Sequence, residues 1–178
     1  MRTKGALEDM KVESLEAIVR ALNSAQVPFI VVGGVAVNAH GYGRLTNDLD
    51  IVIRLRPETI AATFTSLAAL GYRPLVPISA DQFSDAAQRD RWVAEKHMRV
   101  LSFASASHRE TPVDLFVTEP FDFETEYAHA LVQRIATDAP LRVVSLQGLL
   151  RMKRDAGRPQ DLADVAELLA VHGGPTDA

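Results

Sequence analysis

VVGGVAVNAHGYGRLTNDLDIVI, residues Val31 to Ile53, sets two adjacent glycines behind a β-branched run and two aspartates around one leucine ahead of the next. Residues 27–33, VPFIVVG, read as a short buried strand ending at glycine. GVAVNAHG reads as a brief helix, YGRLTN as a loop, and DLDIVIRL as a second strand. Alternate residues of a strand share a face, so Asp48 and Asp50 project together while Leu49 and Ile51 point to the core. Two carboxylates that close repel each other unless a cation lies between them, and Mg²⁺ takes carboxylate and phosphate oxygens. The plainer alternative makes Asp48 a loop cap with Asn47 and leaves Asp50 facing solvent. Gly33 and Gly34 have two readings as well. They let backbone N–H groups approach a phosphate at a helix start, or they make a tight strand-to-helix turn. The stretch is not G-x-G-x-x-G and lacks the Lys-Ser/Thr of a P-loop.

Outward from this stretch, helical spacing of Leu15, Ile18, Val19 and Leu22 predicts a first helix over about residues 7–25. RPETIAATFTSLAALG predicts a helix with proline near its start and Gly71 at its end. Residues 72–99 are the least legible, and ISADQFSDAAQRDRW fits one helix or two helical turns. MRVLSFAS and TPVDLFVTE pair as strands across the turn ASHRE, whereas YAHALVQRIAT fits helix or strand. LRVVS is a short strand, Ser145 an N-cap for LQGLLRMKRDA, Gly157 its end, and Pro159 the start of QDLADVAELLAVH. The expectation is an α+β fold, a mixed sheet flanked by helices. Residues 1–144 would form the core with its N-terminal helix, and residues 145–178 a helical pair packed on it.

At 178 residues and 47% apolar, the chain is long enough for one packed core. No uninterrupted apolar run approaches the roughly 20 residues of a spanning helix, so no membrane partner is expected. The first residues carry charges where a signal peptide needs its apolar segment, so the protein is read as cytoplasmic. The absence of cysteine excludes disulfides and thiolate metal sites. The five dispersed histidines give little support to a zinc hydrolase. A net charge of −4, from 23 acidic and 19 basic residues, argues against charge-driven coating of DNA.

Two further residues enlarge the acidic pair into a site. In PVDLFVT, Val113, Leu115 and Val117 share one strand face and Asp114 shares the other with Phe116. An aspartate inside an apolar strand is costly to bury unless paired or metal-bound, although an edge-strand aspartate avoids that cost. Lys153 falls within the apolar stripe of Leu146, Leu149 and Leu150, so it either snorkels to water or reaches a buried carboxylate or a phosphate. Arg151, Arg154 and Arg158 add positive charge nearby, and Arg44 lies in the loop before the acidic pair. His40, Tyr42 and His97 have no spacing that demands a ligand, and Trp92 is assigned to the core.

GG after a strand, RLTNDLDIVI after a short helix, and a later VDLF together resemble the nucleotidyltransferase superfamily with the polymerase-β-like fold. The ending LLRMKRDAGRPQDLADVAELL is similar to the tail of its bacterial AbiEii-type subgroup, the type IV toxin–antitoxin nucleotidyltransferases. The similarity runs roughly from Val27 to Leu169, with a poorly matched middle. It implies that Asp48, Asp50 and Asp114 are catalytic and ligate Mg²⁺ or Mn²⁺. It implies that Gly33, Gly34, Arg44, Thr46 and Lys153 bind the NTP, and that Asp161 is a structural or active-site acid. The implied reaction moves an NMP to an acceptor hydroxyl on tRNA, a protein or a small molecule of the antibiotic type. An antitoxin protein is an implied partner. Many members have serine just after the double glycine, where this chain has Val35. The rivals are a catalytically silent nucleotide- or protein-binding module with the same fold, and a winged-helix DNA binder. The acidic and apolar QDLADVAELLA disfavours the latter.

Overall fold

The computed structural model describes residues 12–174. The first helix, α1 (Val12–Ser24), buries Leu15, Ile18, Val19 and Leu22 as their spacing predicts. The part of that expectation covering residues 7–11 lies outside the described residues. β1 (Phe29–Val32) follows, then α2 (Gly33–Ala39), β2 (Leu49–Ile53) and α3 (Pro57–Ala69). Gly71 closes this half at φ +79°, a left-handed conformation that glycine adopts without a Cβ penalty.

The poorly legible middle begins with β3 (Tyr72–Pro74), a strand that carries no sequence pattern of its own. Of the two helical readings offered for the following segment, two separate helices form: α4 (Ala80–Ser84) and α5 (Ala86–Lys96). Capping explains the break. Ser79 and Gln82 form a capping box at the start of α4. Asp85 leaves helical geometry at ψ 108° and accepts the Gln88 N–H, so it ends one helix and caps the next.

β4 (Val100–Ser105) and β5 (Val113–Phe116) pair antiparallel as expected. The ambiguous segment is both of its alternatives in succession. α6 (Phe123–His129) stops at Ala130, whose ψ of 143° is extended, and β6 (Leu131–Ala136) begins at once. Val132 and Ile135 suit a pleated surface, and β7 (Ala139–Val143) supplies the partner across the turn Thr137–Asp138. Arg20 of α1 reaches that turn, with Nη2 donating to Asp138 at 3.0 Å. α7 (Leu146–Ala156) and α8 (Pro159–Val171) close the fold. Ser145 accepts the Gly148 N–H at the head of α7, and Gly157, at φ 64°, ends it.

The seven strands make one mixed sheet in the order β3-β4-β5-β2-β1-β7-β6. Pairing is parallel between β2 and β5 and between β1 and β7, and antiparallel elsewhere. All four residues of β1 are buried, so both faces of the sheet centre are covered. α1 packs on α3 and β7, while α7 packs on α8 and α2. No helix among the described residues is long and apolar enough to cross a membrane.

Candidate active site

Sheet register builds the acidic cluster. β2 and β5 run parallel with Asp50 opposite Asp114, and Asp50 also stands opposite Val32 at the end of β1. β5 lies between β4 and β2, so Asp114 belongs to an interior strand and the edge-strand alternative does not hold. Leu49, Ile51, Val113 and Leu115 are buried, which turns the alternate positions 48, 50 and 114 outward together. Carboxylate oxygens of Asp48, Asp50 and Asp114 all lie within 4.8 Å of one another.

That proximity perturbs the acids. Burial, followed by the charges of Asp48 and Asp114, pushes Asp50 up to about 7, while Lys153 and Arg158 pull it down. Burial and the Asp48 charge also raise Asp114, against a lowering hydrogen bond from the Ser102 hydroxyl. Ser102 stands opposite Asp114 in the β4–β5 register. Three clustered oxygen donors with unbalanced negative charge, in a chain without cysteine, suit a hard divalent cation such as Mg²⁺ or Mn²⁺.

The double glycine serves this cluster directly. A Cβ on Gly33 would stand 1.9 Å from Asp50 Oδ2, and one on Gly34 would stand 2.4 Å from Thr46 Oγ1. Gly33 also sits at φ +64°. The missing side chains are therefore what allow Asp50 and Thr46 to close on the turn that starts α2. Val35, the next residue, is buried in the core and does not line the cleft.

All eight residues singled out in the sequence line one cleft of about 530 Å³: Gly33, Gly34, Arg44, Thr46, Asp48, Asp50, Asp114 and Lys153. Asn38 Oδ1 accepts the Arg44 backbone N–H at 2.8 Å, which pins the loop that carries it. Thr46 is buried and donates its hydroxyl to the Asp48 carbonyl at 3.4 Å. Of the alternatives for Lys153, a buried carboxylate is met: its Nζ lies 3.0 Å from Asp161 Oδ1 and 2.8 Å from Asp164 Oδ2. Arg158 Nε donates to Asp161 Oδ2 at 2.6 Å.

Burial pushes Asp161 and Asp164 upward, but hydrogen bonds outweigh it and hold both below the usual carboxylate range: from Arg158 and Lys153 at Asp161, and from Lys153, Gln160 and Arg44 at Asp164. Asp164 escapes sequence reading. Its one signal is its place three residues after Asp161, on the same helix face. Phe116, Leu149 and Met152 give the cleft an apolar wall, and their spacing marks them only as ordinary core residues. Trp92 is a core residue as assigned.

Neither a protein-family model nor a curated protein matches this sequence. Solved structures do match the fold. The antibiotic-resistance factor ANT(2'')-Ia aligns with a TM-score of 0.58 at 14% identity, over 91% of this chain and 84% of its own. A crystal structure of that protein in complex with adenylyl-2''-tobramycin aligns at 0.55 and 14% identity, over 92% of this chain and 89% of its own. A nucleotidyltransferase-like protein from Paracoccidioides brasiliensis aligns at 0.52 and 15% identity, over 90% of this chain and 76% of its own. The seven-stranded mixed sheet with its flanking helices is thus the fold of nucleotidyltransferase-like proteins.

Proposed function

We propose that the protein is a nucleotidyltransferase, moving an NMP from an NTP to an acceptor hydroxyl. The observation that carries this reading is the cluster of Asp48, Asp50 and Asp114, on adjacent strands of this fold and facing one cleft with the double glycine. The three carboxylates would hold Mg²⁺ or Mn²⁺, which when bound neutralises phosphate charge. Gly33 and Gly34 line the cleft and would offer backbone to the triphosphate, with Arg44, Thr46 and Lys153 around it. The acceptor oxygen attacks the α-phosphorus, the bond to the β-phosphate oxygen breaks, and pyrophosphate leaves. A carboxylate oxygen of Asp114 takes the acceptor proton, a role that its upward-shifted affinity for a proton suits.

For the acceptor, a small-molecule hydroxyl is the first reading, because a protein of the same fold is known with adenylyl-tobramycin. A toxin-type enzyme acting on tRNA or protein, with an antitoxin partner, is the second. It rests on the K-x-x-x-G-R-P-x-D tail, in which Lys153 and Arg158 share the carboxylate of Asp161.

The test incubates the protein with each α-labelled NTP and Mg²⁺, in parallel with an aminoglycoside panel, tRNA and a bacterial protein extract. Transfer of label by the wild type but not by Asp48→Ala supports the assignment. Equal labelling by both defeats it. If nothing is labelled, calorimetric titration with Mg·NTP separates an untried acceptor from a silent site, because a silent site gives no binding heat.

A further inference from the structure

Asp164 lies on α8, has no exposed side-chain surface, and has a cation from another element within ion-pair distance of each carboxylate oxygen. Its Oδ1 lies 2.9 Å from Arg44 Nε and accepts from Gln160 Nε2 at 3.0 Å. Its Oδ2 accepts from Arg44 Nη2 at 3.0 Å and lies 2.8 Å from Lys153 Nζ. Arg44 thus meets Asp164 with one hydrogen bond through Nη2 and an ion-pair contact at Nε, which is itself buried without a hydrogen-bond partner. The same Nη2 stands beside the glycine turn, 3.4 Å from the position of a Gly34 Cβ.

A count of donors shows what the arrangement leaves over. Arg44 donates through Nη2 to Asp164 and through Nη1 to the Leu45 carbonyl, so three of its five guanidinium N–H groups remain, the buried Nε–H among them. The ammonium of Lys153 donates to Asp161 and is in ion-pair contact with Asp164, so at least one of its three N–H groups remains. Both cations line the cleft that holds the three aspartates. A purely structural tie between α8 and the 40–48 loop does not need a second cation from α7 on the same carboxylate, nor a buried Nε–H left without a hydrogen-bond partner.

We propose that Asp164 is the positioning residue of the nucleotide site. From α8 it holds Arg44 against the Gly33–Gly34 turn and Lys153 on the cleft wall, so that their remaining donors face the phosphates of a bound nucleotide. This rests on the nucleotidyl-transfer reading above and makes the C-terminal helical pair a working part of the site.

Calorimetric titration with inorganic tripolyphosphate in Mg²⁺ buffer tests it without any acceptor. The wild type binds, and Asp164→Asn weakens binding by about tenfold or more, the scale of a charge-assisted contact. Because Asp164 acts through Arg44, the Arg44→Ala/Asp164→Asn double variant loses less than the product of the two single losses. Arg44→Lys keeps the charge but cannot meet the Asp164 carboxylate and the Leu45 carbonyl through two separate planar nitrogens. It is the second variant should Asp164→Asn fail to fold, and a loss of about tenfold is expected there too. Full binding by Asp164→Asn or by Arg44→Lys overturns the positioning role while leaving the nucleotide reading intact. Wild type that binds no tripolyphosphate overturns both.

Discussion

Asp50 Oδ2 occupies the space beside Gly33 so closely that a Cβ there would stand 1.9 Å from it. The turn and the acid are therefore one structural unit, joined by the antiparallel pairing that sets Val32 opposite Asp50. The glycine backbone, already at φ +64°, starts α2 while yielding its side-chain space to the carboxylate. A phosphate-binding turn and a carboxylate-packing turn make the same demand for glycine, so the sequence alone does not tell them apart.

Gly33→Ala is expected to cost stability twice. A left-handed alanine costs roughly 1–2 kcal/mol, and overpacking against the Asp50 carboxylate adds about 1–3 kcal/mol. Urea denaturation measures the sum. Repeating the substitution in an Asp50→Ala background should recover most of the second part. An identical loss in both backgrounds would mean that the carboxylate is not the obstacle.

Asp50 also makes a prediction about pH. Its folded-state value of about 7 lies above the ordinary 3.8 of an unfolded chain. Between these values the native state holds a proton that the unfolded state has released. The metal-free protein therefore loses stability as pH rises from about 4 to about 7, by an amount on the order of a few kcal/mol. Asp50→Asn should remove this component and melt above the wild type at pH 8. Mg²⁺ or Mn²⁺ should raise the wild-type melting temperature there and leave Asp50→Asn little changed. Thermal melts from pH 5 to 8, with and without metal, test the pair, and parallel profiles for both proteins contradict the cluster's strain.

Local chemistry made much of this site legible. Strand alternation placed Asp48 with Asp50 and turned Asp114 to the side of Phe116, and a helical stripe enclosed Lys153. What stayed hidden is non-local. No local pattern announces that Asp164 is met by Arg44 from 120 positions earlier in the chain. Ser102 becomes Asp114's neighbour only through strand register. β3 has three residues and exists because β4 offers an edge, so its own composition does not predict it. The change from α6 to β6 at Ala130 is likewise decided by the β7 strand waiting to pair.

Tyr72 holds that short strand in place. Its buried hydroxyl donates to the Thr111 carbonyl at 2.6 Å, and its ring stacks on His108 with centroids 5.7 Å apart. Tyr72→Phe keeps the stack but leaves a buried carbonyl unpaired, at a cost of about 1–3 kcal/mol. Burial, and then the charge of Glu110, push the phenol up to about 12. Since the folded-state value is raised from 10.0, wild-type stability should fall between about pH 10 and 12 as the unfolded phenol ionises first. Denaturation midpoints at pH 8, 10 and 11.5 should converge between wild type and Tyr72→Phe. A gap that stays constant would show the hydroxyl to be unburied or unpaired.

Lys153 tests the buried charge network from the opposite side to Asp164. It is 6% exposed and shared by two acids that are themselves buried, so Lys153→Met leaves Asp161 and Asp164 without their common cation. An uncompensated buried charge costs roughly 3–5 kcal/mol, and because Arg158 still meets Asp161 and Arg44 still meets Asp164, the loss should fall at or below the lower end of that range. Asp161 and Asp164 are held below the ordinary carboxylate value of 3.8. Their stabilising contribution is present above that value and disappears as pH falls through their lowered folded-state values. The difference between wild type and Lys153→Met should therefore be full at pH 7 and shrink below about pH 4 as the stranded acids take up protons. Adding Asp161→Asn to Lys153→Met should cost less than the two substitutions separately, since it removes one of the stranded charges. Chemical denaturation of the four proteins completes the cycle. Strict additivity would show that the lysine and the aspartate do not act as a pair.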